Sequence, residues 1–186
     1  MAFSLVDLSD EDPRVVTINA MVHDQGWCLA SFARVEYLIG DLVWLGREMP
    51  EYATVAGRQF PMSLGGRQRT LRAMLANAGP FSPYAEELEL LLGRLDQLEQ
   101  PRHMFVHGFT SFISTPTGDA AMEFRTFLEP PKGGGKPASR YTGIVRPASL
   151  SHARFLWTVF AGTFVETTRQ IYSHLDLAPS DERPVM

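Results

Sequence analysis

The sequence predicts a mainly α protein, an antiparallel bundle of about four helices with a small antiparallel β-hairpin or meander inserted before the last helix. Four segments carry apolar residues at spacings of three and four, the period of an amphipathic helix. Between residues 109 and 147 the pattern changes to short strand-like runs. Short links between helices favour antiparallel neighbours. We therefore predict one helical domain over residues 1–178, with a β insertion at 109–147 and a flexible tail at 179–186.

The first predicted helix runs from about His23 to Glu48, and Pro50 follows it. Its apolar residues recur at helical spacing and are Trp27, Phe32, Val35, Leu38, Ile39, Leu42, Val43 and Leu45. We expect the tryptophans and phenylalanines at such spacings to lie in the core, and we expect the same of two methionines. The tryptophans are Trp27, Trp44 and Trp157, and the methionines are Met74 and Met104.

Two further helices are predicted between residues 63 and 98. Ser63 is expected to cap a helix that contains RQRTLRAMLANA and ends before Gly79 and Pro80. The third helix is expected to start with Ser82 at the N-cap and Pro83 at the first helical position. Its apolar stripe consists of Leu88, Leu91, Leu92, Leu95 and Leu98.

Three strand-like runs follow Gly108, namely FTSFIS, MEFRTFLEP and RYTGIVRP. A turn around residues 116–119 and the loop PKGGGKPAS separate them. The loop lacks the spacing of a phosphate-binding P-loop, so we predict a hairpin tip. A final helix is predicted from Ser149 or Ser151 to near His174, with the apolar residues Phe155, Leu156, Val159, Phe160, Phe164 and Val165.

Composition and charge limit the classes of protein. With 186 residues and 45% hydrophobic content, the chain can bury one sizeable core. No apolar run reaches the roughly 18 residues of a membrane span, and the N-terminal segment is acidic where a signal peptide is basic, so we expect a cytoplasmic protein that does not enter a membrane. The single cysteine, Cys28, excludes an internal disulfide and is expected in the core.

A formal net charge of −4 argues against broad adhesion to nucleic acid, which depends on an excess of lysine and arginine. An RNA ligand therefore requires a local basic patch. Arg67, Arg69 and Arg72 on the second predicted helix are candidates for such an RNA-binding patch, although a run of this kind is more often a solvated helix face.

The candidate site is the segment EQPRHMFVHG, which contains Arg102, His103 and His107. Pro101 is expected either to kink the third helix, at about 3 kcal/mol, or to occupy the first turn of a new helix. In the second case, free backbone N–H groups near Arg102 create a site for an anion. Arginine adds a forked cationic donor, and histidine exchanges a proton near neutral pH. These residue types suit phosphodiester chemistry.

The spacing of these residues raises a geometric question. On a straight helix, Arg102 and His107 are turned by roughly 140° from each other, whereas His103 and His107 share a face. A joint site for Arg102 and His107 therefore needs either a helix distorted at Pro101 or two copies of the chain in a dimer.

The segment RHMFVHG resembles the R-x4-H signature of the HEPN superfamily (higher eukaryotes and prokaryotes nucleotide-binding), and FARVEYLI at residues 32–39 is similar to the FxxxExxI helix of that family. The resemblance implies a HEPN-like domain and a metal-independent endoribonuclease, often a toxin or an effector of phage defence, whose motifs meet across a homodimer. It implies that Arg102 holds the scissile phosphate and that His107 acts as general acid or base while the ribose 2′-hydroxyl attacks. His103 would assist, and Glu36 would steady Arg102.

Other interpretations stay open. The arginine at 102 can pair with Glu36 or Glu99 at a helix end, with His107 in a polar core niche. A metal site at His103 and His107 lacks the glutamate of H-E-x-x-H and a third ligand, so no metal or other cofactor is expected. A non-catalytic HEPN-like module would bind a nucleotide or a protein partner such as an antitoxin.

Overall fold

A computed structural model describes residues 12–114, 119–128 and 139–177. Within these ranges there are five α-helices: α1 (Pro13–Arg47), α2 (Leu64–Leu75), α3 (Ala85–Gln97), α4 (Glu99–His107) and α5 (Pro147–His174). Three strands lie between α4 and α5: β1 (Phe109–Ser114), β2 (Ala120–Leu128) and β3 (Ser139–Val145). The prediction of a mainly α chain with a small antiparallel sheet before the last helix is confirmed, with five helices in place of about four.

The chain forms two compact units. Unit 1 comprises Met1–Leu29 and Gln100–Leu156, and unit 2 comprises Ala30–Glu99 and Trp157–Met186. The predicted tail at 179–186, most of the loop PKGGGKPAS and the turn at 116–118 lie outside the described residues. The single domain over residues 1–178 stays a prediction.

Helix α1 begins at Pro13, well before the predicted start near His23. Asp12 caps it, because its Oδ1 accepts the N–H of Arg14 at 2.8 Å. Pro13 occupies the first helical position, where its missing N–H has no helical partner to lose. The pair Asp12-Pro13 is therefore a helix start that the apolar spacing alone does not reveal.

The prediction that Trp27 and Trp44 lie in the core is wrong, because both side chains are exposed. Trp27 donates its indole N–H to His23 Nε2 at 3.0 Å, and Trp44 packs edge-on against Phe60 at 5.6 Å between ring centroids. The buried stripe of α1 lies on other positions, which include Met21, Cys28, Phe32, Val35, Ile39 and Leu42. The prediction for Cys28 is confirmed, and burial raises the pKa of its thiol to about 11.

Helices α2 and α3 differ in how they start. Ser63 caps α2 as predicted, with its Oγ accepting the N–H of Gly66 at 3.2 Å. The predicted N-cap at Ser82 is wrong, because Ser82–Tyr84 form a 3-10 turn and Ser82 Oγ instead accepts the N–H of Gly79 at 2.9 Å. The leucine stripe of α3 is confirmed at Leu88, Leu91, Leu92 and Leu95, which are buried, whereas Leu98 follows the last residue of the helix and is half-buried.

A buried tyrosine organises the chain before α3 in unit 2. The hydroxyl of Tyr52 accepts the backbone N–H of Phe81 at 2.7 Å, and the two rings stack at 5.2 Å between centroids. Both side chains are completely buried. Gly79 lies so close that a Cβ there would be 2.7 Å from the Tyr52 ring. This contact fixes the turn that leads into α3.

The strands of unit 1 form a meander in the order β1-β2-β3, with both pairs antiparallel. Residues that face each other across the strands share one face of the sheet. The inner face carries Phe112, Met122, Phe124 and Val145, and it packs with Met21, Met104, Phe105 and Leu150 in the core of unit 1. The core of this unit therefore draws on the sheet and on α1, α4 and α5.

Helix α5 begins at Pro147, slightly before the predicted serines, and ends at His174 as predicted. Trp157 and Phe164 are buried as expected. Phe155 is 62% exposed, so its predicted place in the core is wrong. Neither α5 nor another described helix combines the length and the apolar character needed to cross a membrane.

Candidate helix-end site and sheet surface

The candidate site forms a helix of its own. Helix α3 ends at Gln97, and the N–H of Leu98 bonds back to the carbonyl oxygens of Arg94 and Leu95 at 3.2 and 3.0 Å. Helix α4 then starts at Glu99, so Pro101 lies in its first turn, where a proline removes no helical hydrogen bond. Of the two predicted alternatives, a new helix is the one observed.

Arg102 and His103 lie early in α4, and His107 is its last residue. Arg102 and His103 are half-buried, and neither is free of partners. The side chain of His107 lies outside the described part of the structure. Since α4 is one continuous helix, backbone positions 102 and 107 point roughly 140° apart. The distorted helix that was one of the two predicted alternatives is therefore not what this segment adopts.

Gly108 marks the junction from α4 to β1. Its N–H still donates to the carbonyl oxygen of Met104 at 3.0 Å, which continues the helical pattern. A Cβ at this position would overlap the same carbonyl oxygen and would lie 3.6 Å from the carbonyl oxygen of Arg125 in β2. The close approach of the Met104 carbonyl oxygen therefore favours glycine at this position, where α4 gives way to β1.

Glu36 and Arg67 form a half-buried ion pair in unit 2. Arg67 Nη2 donates to Glu36 Oε1 at 2.8 Å, and Arg67 Nη1 donates to the Glu36 carbonyl oxygen at 3.2 Å. The same guanidinium also reaches the carbonyl oxygen of Met62 at 3.0 Å. These bonds join α1 to α2. Because Glu36 belongs to unit 2 and Arg102 to unit 1, the support of Arg102 by Glu36 stays a prediction.

The other two arginines of the predicted RNA-binding patch differ from each other. Arg72 bridges α2 to α3, with its Nη2 at 2.6 Å from Asp96 Oδ2 and its Nε at 3.3 Å from Glu89 Oε2. Arg69 is exposed. Two of the three arginines thus take part in ion pairs between helices of unit 2. RNA binding by Arg67, Arg69 and Arg72 stays a prediction, and Arg69 is the most accessible of them.

The sheet of unit 1 presents an outer face opposite its core. We define the outer face by the residues that alternate along the strands with those of the inner face: Phe109, Ser111, Ile113, Ala121, Glu123, Arg125, Phe127, Arg140, Thr142 and Ile144. Phe109 is 65% and Phe127 is 71% exposed. Phe109 and Phe127 are not among the site residues predicted from the sequence. The signal is the alternation within FTSFIS and MEFRTFLE, which places phenylalanines on both faces of the same strands.

Polar groups occupy the middle of the outer face. Glu123 Oε2 accepts hydrogen bonds from Ser111 Oγ at 3.2 Å and from Arg125 Nε at 2.7 Å, and the Arg125 Nη2 also pairs with it. The Arg125 hydrogen bond, opposed by partial burial and aided by Ser111, holds the pKa of the Glu123 carboxyl below its usual range. Glu123 therefore stays ionised and orients the Arg125 guanidinium on the sheet.

Within the described ranges, no three histidine, cysteine, aspartate or glutamate side chains come together as ligands for a metal ion. A smaller polar group in unit 1 joins α1 to α5, where Asp24 Oδ1 lies 3.3 Å from Arg154 Nη1 and 3.4 Å from His23 Nδ1. Asp24 is buried. This group serves to satisfy a buried carboxylate between two helices.

No family model, curated protein or solved structure matches this chain. The relation to the HEPN superfamily is therefore the resemblance carried by residues 102–108 and 32–39.

Proposed function

We propose that this chain is a metal-independent endoribonuclease of the HEPN type that acts in the cytoplasm as a homodimer, in the role of a toxin or defence effector. Arg102 binds the scissile phosphate, His107 acts as general acid or base, and His103 assists. The observation that carries the proposal is the separate short helix α4, which has Arg102 near its start and His107 as its last residue. A guanidinium forks onto phosphate oxygens, and an imidazole transfers protons at neutral pH.

The proposed dimer is supported by the geometry of α4. On a continuous helix, positions 102 and 107 are turned roughly 140° apart, so the two residues of one copy do not converge on one phosphate. A twofold axis that brings two α4 helices together pairs Arg102 of one protomer with His107 of the partner subunit. The symmetry then generates two equivalent sites.

The reaction is the attack of a ribose 2′-oxygen on the adjacent phosphorus. One imidazole accepts the 2′-hydroxyl proton while the O2′–P bond forms. The P–O5′ bond breaks, and the leaving 5′-oxygen takes a proton from a second imidazole, so the products are a 2′,3′-cyclic phosphate and a 5′-hydroxyl. Arg102 stabilises the charge that develops on the phosphoryl oxygens. A dimer supplies two copies each of His103 and His107 for the two proton transfers.

Alanine substitutions test the assignment of the residues. Arg102→Ala and His107→Ala are expected to lower the cleavage rate of an end-labelled RNA by about 100-fold or more, because each removes a group that acts in the transition state. The chain contains a matched control, since Arg169 and His174 form a second R-x4-H at the exposed end of α5. Arg169→Ala and His174→Ala are expected to cleave like the unmodified protein. Circular dichroism and thermal unfolding check that each variant folds.

Mixing the two inactive variants tests the shared site. If Arg102 and His107 of different protomers form each site, a dimer of one Arg102→Ala chain and one His107→Ala chain keeps one intact site. After random exchange, half of the dimers are mixed and each has one of two sites, so about a quarter of the original activity returns. No recovery in dimers of demonstrated mixed composition would exclude a site shared in this way. Full cleavage by both folded single variants would refute the nuclease assignment.

A further inference from the structure

The outer face of the sheet is open at one end. At the end that carries Phe109 and Phe127, both side chains are exposed, and Ile144, which faces Glu123 in the middle of the sheet, is exposed as well. At the other end Ala121 is completely buried. In the register of the sheet Phe109 faces Arg125, and Phe127 follows two residues after Arg125 on the same strand, so the two phenylalanines are diagonal neighbours on one face. Such neighbours are about 7–8 Å apart. Two adjacent flat groups of one ligand can therefore each stack on one of the two rings.

Positive charge accompanies these aromatics. Arg125 stands between Phe109 and Thr142 in the register, and Arg140 stands opposite Phe127. Among the described residues of the outer face, the single carboxylate of Glu123 offsets only one of these two arginines. In a protein with a formal charge of −4, this face has a local excess of positive charge that complements phosphate.

The open end adjoins the candidate cleavage helix. Phe109 is the first residue of β1 and follows His107 by only two residues. Two residues span at most about 7 Å of backbone, so a chain of nucleotides on the open end lies next to the end of α4. The N–H of Gly108 donates to the Met104 carbonyl oxygen, and a Cβ at Gly108 would overlap the same oxygen, so this junction is close-packed and not a free linker.

From these observations we infer that the outer face binds single-stranded RNA, with unpaired bases stacked on Phe109 and Phe127 and phosphates on Arg125 and Arg140. Exposed aromatic rings interleaved with basic side chains are the features by which sheets bind single strands without a strong sequence preference. In a duplex the bases already stack on each other, so their flat faces are not available to these rings. The inference rests on the proposed function for the choice of RNA as ligand, and it restricts the substrate to unpaired segments.

Binding and cleavage are measured separately to test it. The probe is a fluorescein-labelled, unstructured RNA of about 12 nucleotides, within the usual site size of single-strand binders. Each 2′-hydroxyl carries a methyl group, so the probe has no nucleophile and is not cleaved. We expect Phe109→Ala and Phe127→Ala each to raise the Kd by about 5- to 150-fold in fluorescence anisotropy, the range for loss of one stacked base. The same strand as a duplex is expected to bind less tightly to the unmodified protein.

The control is Phe155→Ala, which removes a phenylalanine of nearly the same exposure in the same unit, but on α5. It should leave the Kd unchanged. Phe109→Leu and Phe127→Leu keep an apolar side chain without the aromatic face, so weak binding by folded leucine variants would support stacking. An unchanged Kd in the phenylalanine variants would overturn the inference. A loss of dimer with unchanged RNA affinity would also overturn it, because this would show that a second copy of the chain covers the face.

The two proposals fail in different ways. If the unmodified protein binds the methylated probe through Phe109 and Phe127 but does not cleave the ordinary RNA, the nuclease assignment falls and the binding surface stands. If the protein cleaves RNA through Arg102 and His107 but the phenylalanine variants bind and cleave normally, the nuclease stands and the binding surface falls.

Discussion

Units 1 and 2 use their charged and aromatic residues differently. In unit 2, Arg67 and Arg72 join α2 to neighbouring helices through ion pairs, and the Tyr52 hydroxyl satisfies a buried backbone N–H. In unit 1, the sheet buries one face but presents Phe109 and Phe127 to solvent on the other. Exposed aromatics next to arginines are more informative about function than buried ones, because burial alone accounts for the latter. Phe109 and Phe127 lie beside Arg125 and Arg140 in the register of the sheet, and for this reason the RNA-binding surface that we propose belongs to unit 1.

The largest expected change in the free energy of unfolding comes from a comparison of two phenylalanines on strand β2, one on each face of the sheet. Phe124 is completely buried in the core of unit 1, whereas Phe127 on β2 is exposed. Phe124→Ala should lower the free energy of unfolding by about 3–5 kcal/mol, because it leaves a cavity. Phe127→Ala should change it by no more than about 0.5 kcal/mol. Urea denaturation measures both, and equal losses would show that the outer face is not free.

A pair of glycines tests the junction between α4 and β1. Gly108→Ala should destabilise the protein by about 1–3 kcal/mol, since the added methyl group meets the Met104 carbonyl oxygen and the backbone must shift. Gly162 lies inside α5 with open space where a Cβ would be. Gly162→Ala should therefore stabilise the protein by about 0.5–1 kcal/mol. Thermal unfolding distinguishes these opposite signs, and stabilisation by Gly108→Ala would contradict the close approach.

The smallest expected change in the free energy of unfolding concerns a hydrogen bond in unit 2. Tyr52→Phe keeps the stacked ring against Phe81 but leaves the Phe81 N–H without its acceptor, which should cost about 1–2 kcal/mol. Tyr37→Phe removes the hydroxyl of an exposed tyrosine on α1 and should be neutral within about 0.5 kcal/mol. Chemical denaturation measures the difference. If both variants were neutral, the buried hydrogen bond would not hold the turn before α3.

Much of the fold follows from local signals in the sequence. The Ser63 cap, the leucine stripe of α3 and the three strands follow from residue preference and spacing, which act over a few residues. The faces of α1 do not follow from such signals. Apolar residues occur on several sides of this helix, Trp27 and Trp44 among them, so periodicity does not decide which side is buried.

The candidate site was predictable only in part. Pro101 indicates that a helix must end or begin near it, and α4 confirms this break. The spacing of Phe109 and Phe112 predicts opposite faces of a strand but not which of the two faces solvent. That choice depends on long-range packing, because Phe112 joins residues from α1 and α5 in the core of unit 1.

The boundary between the units has a consequence for how the protein can be dissected. The chain passes from one unit to the other after Leu29 in α1, after Glu99 at the start of α4 and after Leu156 in α5. Neither unit is a contiguous stretch of the chain, and a cut at the first or the last crossing severs a long helix. Truncated fragments would therefore retain broken secondary structure, and recombination at a single point would not transfer either unit intact to another polypeptide.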